Sequence, residues 1–327
     1  MLRSIAWRSN LEGGVKEMEK ELAASVFPGG AWIEAPNYQG YTMHYLMIAW
    51  RLMQLNGFRD FSKEPTFRAT MDYLFRIQTP RDVRIGHHLL PTVGDTTSSY
   101  HSQNLQNTFA WAASMGRDDP AFAGRMMHAW KRGGSILFGA HGLGPGAGWI
   151  QPLLLIDPSI PEVPTAAPLK SEALPGYGAL LKKNYGTDHE SYFLFKMGPI
   201  NQHFDSDEGS FHWYAHSRPV SLDFGSMYTP SIEQPWLHST LDFDRHRTWD
   251  RGTVTHFVSL GDADFCGGKL AITDIELVDY DPFHPPPRHR PMPRRSKKHF
   301  LDWRREVIFV HGADYGMGGA SRSGGFA

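Results

Sequence analysis

Apolar residues recur at helical spacing through the first half of the chain and at strand spacing through the second. Thr42 to Asn56 carries Tyr45, Ile48, Ala49, Leu52 and Met53 at the interval of one helix face, and Gly57 is a natural stop. The same interval predicts a helix from Pro65, along Phe67, Met71, Leu74 and Phe75, that ends before Pro80. It predicts a third from about Ser99 to Met115 and a fourth after Pro120, through Phe122, Met126 and Trp130 to Gly133-Gly134. Val15 to Val26 is also helical in composition. Successive amphipathic helices with short connections imply hairpins packed in an all-α layer.

Glycine and proline crowd between Gly139 and Pro175, which is linker chemistry. Beyond that point the period switches to two. Tyr177 to Tyr185, Ser191 to Met197, Ser210 to Tyr214, Pro219 to Phe224, Val254 to Leu260, Lys269 to Val278 and Trp303 to His311 read as strands. Antiparallel sheets stacked face to face satisfy such a pattern. Pro282 to Lys298 is Pro- and Arg-rich and reads as a solvated loop, with polyanion binding as the alternative. Gly316 to Ala327 lacks a core pattern and reads as a disordered tail.

Composition narrows the partners. Thirty-three Lys+Arg against 34 Asp+Glu leave a net charge of -1, which removes any global electrostatic case for nucleic acid or an anionic membrane. No apolar run approaches a bilayer span, so no membrane insertion is expected. A single cysteine, Cys266, excludes an internal disulfide and a Cys-rich metal site. Met1-Leu2-Arg3 is not followed by an apolar signal-peptide core. The 10 Trp, 12 Tyr and 20 Phe could pack on sugar rings, although large aromatics mostly fill cores.

Two clusters carry candidate chemistry. In the run Asn201 to Phe211, alternate residues of a strand would put His203, Asp205 and Asp207 on one face, a metal or acid–base site. The alternative is a polar turn leading into the Ser210 strand. Asp223 inside an apolar strand and His238 beside Trp236 would join Asp205 as a compact O/O/N set for a divalent ion. The second cluster, Gly29 to Tyr41, is a loop that delivers Tyr38 and Tyr41 to a helix N-terminus, where the dipole favours a phenolate. Nucleophile-elbow, Walker, H-E-x-x-H and dinucleotide signatures are absent from the sequence.

Five motifs occur in one order: Gly-Gly-Ala-Trp-Ile-Glu-Ala-Pro-Asn-Tyr-Gln-Gly-Tyr (29–41), Leu90 to Asp95, His203-x-Asp205-x-Asp207-x-Gly209-Ser210-Phe211, Leu222 to Gly225, and Trp236 to Thr240. In that order they resemble the heparinase II/III-like polysaccharide lyases, which include oligoalginate and heparin/heparan sulfate lyases. The resemblance implies an α+β multidomain fold, a partial (α/α) toroid followed by an antiparallel β-sandwich. Its parts would be a helical domain over 1–150, a linker over 151–174, a sandwich over 175–315 and a tail over 316–327.

The resemblance implies β-elimination on an acidic, uronate-bearing polysaccharide or oligosaccharide. Tyr38 and His203 would be catalytic, with Tyr41 the second tyrosine. Trp32, Glu34, Asn37, Gln202 and Trp236 would contact substrate. Asp205, Asp223 and His238 would hold a divalent metal, with Asp205 standing where the family's second histidine stands. That oxygen-richer set suits zinc and also manganese or calcium. The resemblance further implies a periplasmic or extracellular protein, and an incomplete chain, since only 37 residues precede Tyr38. A non-catalytic glycan-binding protein on the same scaffold and a metal-dependent hydrolase using Asp205, Asp207, Asp223 and His238 remain the alternatives.

Overall fold

A computed structural model describes residues 5–96, 104–135, 156–165, 168–198, 203, 207–223, 237–241, 246–248, 250–273, 275–277, 295–296, 301–311 and 316–323. Its helices are α1 (Ile5–Ser25), α2 (Pro36–Leu55), α3 (Pro65–Ile77), α4 (Thr108–Met115) and α5 (Pro120–Arg132). α2 begins at Pro36, not at Thr42. Proline suits the first helical turn, where its missing N–H has no intrahelical partner to lose. Tyr38 therefore sits on the helix and not on a loop before it. α4 is shorter than the stretch expected from Ser99, because a 3-10 turn over Asn104–Asn107 precedes it; residues 97–103 lie outside the described residues. All eight α4 residues are buried, which is why Thr-Phe-Ala-Trp-Ala-Ala-Ser-Met has no charged face. Asp119 caps α5 by accepting from the Phe122 N–H at 3.1 Å.

The helices share one aromatic core in which Trp50 stacks on Phe61 with ring centroids 4.8 Å apart. The expected linker is partly built into it. Ile156, Ile160 and Leu169 pack on that core, and the Val163 N–H donates to the Gly124 carbonyl at 3.1 Å.

Strands β1 (Glu172–Leu174), β2 (Gly178–Lys183), β3 (Ser191–Lys196), β4 (Phe211–Ala215) and β5 (Arg218–Ser221) form an antiparallel sheet in sequence order. Both of its faces are covered. Leu180, Tyr192, Leu194 and Tyr214 join the helical core, while Ala179, Leu181, Phe193 and Phe195 join a second core. This explains why every β3 residue is buried and why Ser-Tyr-Phe-Leu-Phe-Lys hardly alternates.

The second core is closed by a four-stranded antiparallel sheet. Its strands are β7 (Thr253–Ser259), β8 (Ala263–Ile272), β11 (Leu301–Val310) and β12 (Gly316–Ser323), in the order β12-β11-β8-β7. Cys266, Leu270, Trp303, Val307 and Phe309 point inward from it. A small sheet of β6 (His246–Thr248), β9 (Ile275–Leu277) and β10 (Arg295–Ser296) completes the described strands. The molecule thus combines a helical layer with antiparallel sheets. Among the described residues no helix is long and apolar enough to cross a membrane.

Two expectations about the second half change. Lys269 to Val278 is not one strand: β8 ends at Ile272, and β9 belongs to another sheet. At the break the Thr273 N–H and hydroxyl both donate to the Asp250 carboxylate, at 2.5 and 2.8 Å, which takes Thr273 out of the ladder. Gly316 to Ser323 is not a free tail. As β12 it pairs along β11 from Asp302↔Ser323 to Phe309↔Gly316. The open edge of β11 supplies unpaired N–H and C=O groups, and backbone pairing needs no apolar side chain. Of the Pro- and Arg-rich segment only Arg295 and Ser296 are among the described residues.

Candidate functional site

Three segments converge on His203. The first is the turn that enters α2. Gly30 adopts φ +89°, and a Cβ there would fall 2.2 Å from the Ala69 carbonyl oxygen, so only glycine fits this turn. After it, the Trp32 indole N–H donates to Glu34 Oε2 at 3.0 Å. Trp32 is only 3% exposed, so it anchors a carboxylate from within the core and presents no ring face to a sugar. In the first turn of α2, the Tyr38 ring stacks on the His203 imidazole, with centroids 3.5 Å apart and planes 9° from parallel.

The second segment is the loop ending at Asp95. Its carboxylate Oδ2 lies 3.2 Å from His203 Nδ1, and its backbone N–H donates to the His203 carbonyl at 3.1 Å. Neighbouring Thr96 Oγ1 accepts from the Asn37 N–H at 3.3 Å, tying this loop to the first turn of α2. Asn37 itself is buried. The third segment is the bend at His203, whose φ of +49° is unusual for a residue other than glycine. On its other side, Nε2 lies 3.8 Å from Glu34 Oε1, beyond hydrogen-bond length. A phenol, an imidazole and two carboxylates therefore meet at one partly exposed spot. Such a group can pass a proton between ring and substrate while a carboxylate fixes the imidazole. Asp95 had no assigned role in the sequence; its only signal was the Leu90 to Asp95 motif.

Tyr41 lies beside this group. It is 40% exposed, and its ring centroid is 6.4 Å from that of Tyr38. The Tyr45 hydroxyl donates to the Tyr41 oxygen at 3.0 Å. That bond, aided by partial burial, pushes the Tyr45 phenol up to about 12. Tyr38, not Tyr41, is the tyrosine in ring contact with His203.

His203 and Asp207 do not share a strand face. The left-handed backbone at His203 and the Asp207–Ser210 turn, closed by Ser210 N–H to the Asp207 carbonyl at 2.9 Å, break strand alternation. Asp205 lies outside the described residues, as do Gln202 and Trp236. Asp207 is fully buried and belongs to an ion triad. Lys196 Nζ, also fully buried, lies 3.1 Å from Asp207 Oδ1 and hydrogen-bonds Glu208. Asp207 Oδ2 accepts from the Gly94 N–H at 3.0 Å. Glu208 accepts from the N–H groups of Gly198 and Gly252 at 2.7 and 2.8 Å. Burial is the largest single influence and acts to raise the Asp207 carboxyl, but the charges of Lys196 and His238 and the hydrogen bonds from Lys196 and the Gly94 N–H together outweigh it and hold the group below the usual carboxylate range. The triad joins the end of β3 to the start of β7 and to the loop that grips His203.

Asp223 and His238 do come together. Asp223 lies just beyond β5 and not inside a strand, and its Oδ1 is 2.7 Å from His238 Nδ1, with both side chains buried. Thr240 Oγ1 donates to the Glu208 carbonyl at 2.6 Å, and Arg305 donates to the carbonyls of Gly209 and Ser239 at 2.5 and 2.6 Å. These bonds fix residues 237–241 against the triad. His212 is buried nearby, and its Nε2 has no hydrogen-bond partner among the described residues. Burial lowers the His212 pKa, opposed by the charges of Asp223 and Asp207, which keeps the ring neutral. The Asp223–His238 pair supplies one oxygen and one nitrogen donor. Among the described residues no three His, Cys, Asp or Glu side chains are arranged to hold a metal ion.

No protein-family model matches the chain, and no curated protein matches it. Its fold matches solved structures. One is a heparinase III solved with methylated lysines, at a TM-score of 0.60 and 15% identity over 94% of this chain and 40% of that one. Another heparinase III crystal structure matches at 0.56 and 14% identity, over 90% of this chain and 40% of the other. The chain therefore has a heparinase III-like fold and spans about two fifths of the length of these structures.

Proposed function

We propose that this chain carries the acid–base centre of a polysaccharide lyase that cleaves uronate-containing glycans by β-elimination. The observation that carries the reading is the Tyr38 ring stacked on His203, with the imidazole gripped by Asp95. Elimination removes the proton at C5 of the uronate and breaks the bond from C4 to the glycosidic oxygen. A C4–C5 double bond forms, and the departing oxygen takes up a proton. Two adjacent proton carriers suit this exchange: one accepts the C5 proton while the other serves the leaving oxygen. In this reading Tyr38 is the acid–base residue and His203 its partner. Asp95 fixes the imidazole at Nδ1 so that Nε2 faces the sugar.

The sugar would lie along the edge of the stacked pair, within reach of Tyr41 and Glu34; Gln202 and Trp236, outside the described residues, are proposed as further substrate contacts. Trp32 and Asn37 act from beneath as supports. In this reading residues 1–150 form a partial (α/α) toroid and 175–315 the β-sandwich domain, in a periplasmic or extracellular protein. Asp205, Asp223 and His238 would hold a divalent ion, zinc or else manganese or calcium. The buried Asp223–His238 pair supplies two of its donors, and the ion would brace the sandwich loops.

A hydrolase built on Asp205, Asp207, Asp223 and His238 is disfavoured, because Lys196 engages Asp207 in a buried ion pair. The test is ultraviolet absorbance from unsaturated uronate when the chain is incubated with alginate, heparan sulfate and other glycosaminoglycans. Absorbance should rise on at least one polymer and fall about 10²–10⁴-fold in rate in Tyr38→Phe and in His203→Ala. Binding without any absorbance change, unaltered by Tyr38→Phe, would identify a glycan-binding protein instead.

A further inference from the structure

The far end of the five-stranded sheet brings together two histidines that take no part in the proposed chemistry. His189 closes the loop between β2 and β3, and His216 stands in the two-residue turn between β4 and β5. β3 and β4 pair antiparallel, with Tyr192 opposite Tyr214, so the two turns sit side by side. Their imidazoles meet with Nδ1 atoms 3.2 Å apart and rings nearly perpendicular at 89°.

The backbone holds this meeting in place. The Ser217 N–H donates to the Glu190 carbonyl at 2.8 Å, and the Ser217 hydroxyl to the Thr187 carbonyl at 3.3 Å. Within the first loop, the His189 N–H donates to Thr187 Oγ1 at 3.2 Å, and Asn184 Nδ2 to the His189 carbonyl at 3.3 Å. His216 and Ser217 take φ +49° and +57°, the pair of left-handed conformations of a tight hairpin turn. Asn-Gly or Asp-Gly is the usual choice for that turn, and histidine is one of the few other residues enriched in the left-handed region. An outlier conformation kept at a residue with ligand chemistry points to use of its side chain.

We propose that His189 and His216 form a two-imidazole site for a first-row transition-metal ion. Two nitrogens bound at about 2.05 Å in tetrahedral geometry stand about 3.3 Å apart, which is the separation already present. His189 is exposed, so water can complete the coordination of an ion held by the two imidazoles. Imidazole donors with open positions favour copper(II), then nickel and zinc. The site lies the length of β3, about 20 Å, from the Lys196 end of the sheet. It is therefore separate from Asp223 and His238 and does not depend on the lyase reading.

The experiment is copper(II) titration of the untagged, chelator-treated full chain, followed by calorimetry and by electron paramagnetic resonance. The expected result is coupling of the bound ion to two imidazole nitrogens. Affinity should fall at least tenfold in His189→Ala and in His216→Asn, the latter chosen because asparagine tolerates the turn. Zinc should raise the unfolding temperature of the parent more than that of the double variant. Unchanged copper affinity in a folded double variant, or a spectrum unaltered by both substitutions, would overturn the proposal.

Discussion

Replacing Lys196 with methionine keeps the volume of a fully buried side chain and removes its charge. In the parent, Lys196 lies 3.1 Å from Asp207 and bonds Glu208, with all three side chains at most 1% exposed. Taking one partner from a buried ion cluster leaves uncompensated charge and costs about 3–5 kcal/mol. The pH dependence carries the sharper signature. Asp207 in the parent titrates below its unfolded value, so its contribution is present above about pH 4 and lost only as pH falls through the folded value. Lys196 titrates above its unfolded value, so its contribution is complete below about pH 10.4 and lost as pH rises through the folded value. Asp207 and Lys196 therefore add no slope between pH 5 and 8. In Lys196→Met, burial without the lysine charge and its hydrogen bond, the largest of the influences opposing it, raises Asp207 above its unfolded value. The variant then takes up a proton on folding and loses stability as pH rises from about 4. Urea unfolding followed by circular dichroism at pH 5 and pH 8 measures both effects. A variant within about 1 kcal/mol of the parent at pH 7, or with the parent's flat profile, would refute the reasoning.

Asp95→Asn preserves shape but removes the carboxylate 3.2 Å from His203 Nδ1. Steady-state kinetics on whichever polymer is cleaved should show an activity loss of about 10–100-fold with an unchanged circular dichroism spectrum. Gly209→Ala puts a Cβ 1.8 Å from the Trp303 ring at φ +77°. Left-handed strain of about 1–2 kcal/mol and overpacking of about 1–3 kcal/mol should add, and chemical denaturation should show roughly 2–5 kcal/mol of lost stability.

Much of the fold is legible where a local rule has one outcome. Pro65 and Pro120 start α3 and α5 at the residues where an apolar stripe begins, and the near-continuous apolar run of β3 follows from having both sheet faces covered. The early start of α2 is harder to see. Buried Asn37 and Gln39 in its first turns break the apolar period, and Pro36 is the only local signal. The pairing of Gly316–Ser323 is not legible, because a glycine-rich composition says nothing about an open strand edge elsewhere in the molecule.

At the site, Tyr38, Glu34 and His203 were legible as a motif, but their arrangement was not. Alternation placed Asp207 beside His203, whereas a positive φ at a histidine carries no sequence mark. Asp95 reaches His203 across 108 positions, a contact that spacing cannot reveal. The Lys196 triad left a faint trace, a lysine closing an apolar strand shortly before two acids.

The proposed Tyr38–His203 centre would cut by elimination, and the oxygen of water distinguishes that from hydrolysis. Mass spectrometry of oligosaccharides released by the chain from a uronate polymer, run in ¹⁸O-labelled water, tests it most directly. Elimination gives a new non-reducing end one water lighter than a hydrolytic product and no ¹⁸O incorporated by the cut. Products that carry the added water and its label would contradict it.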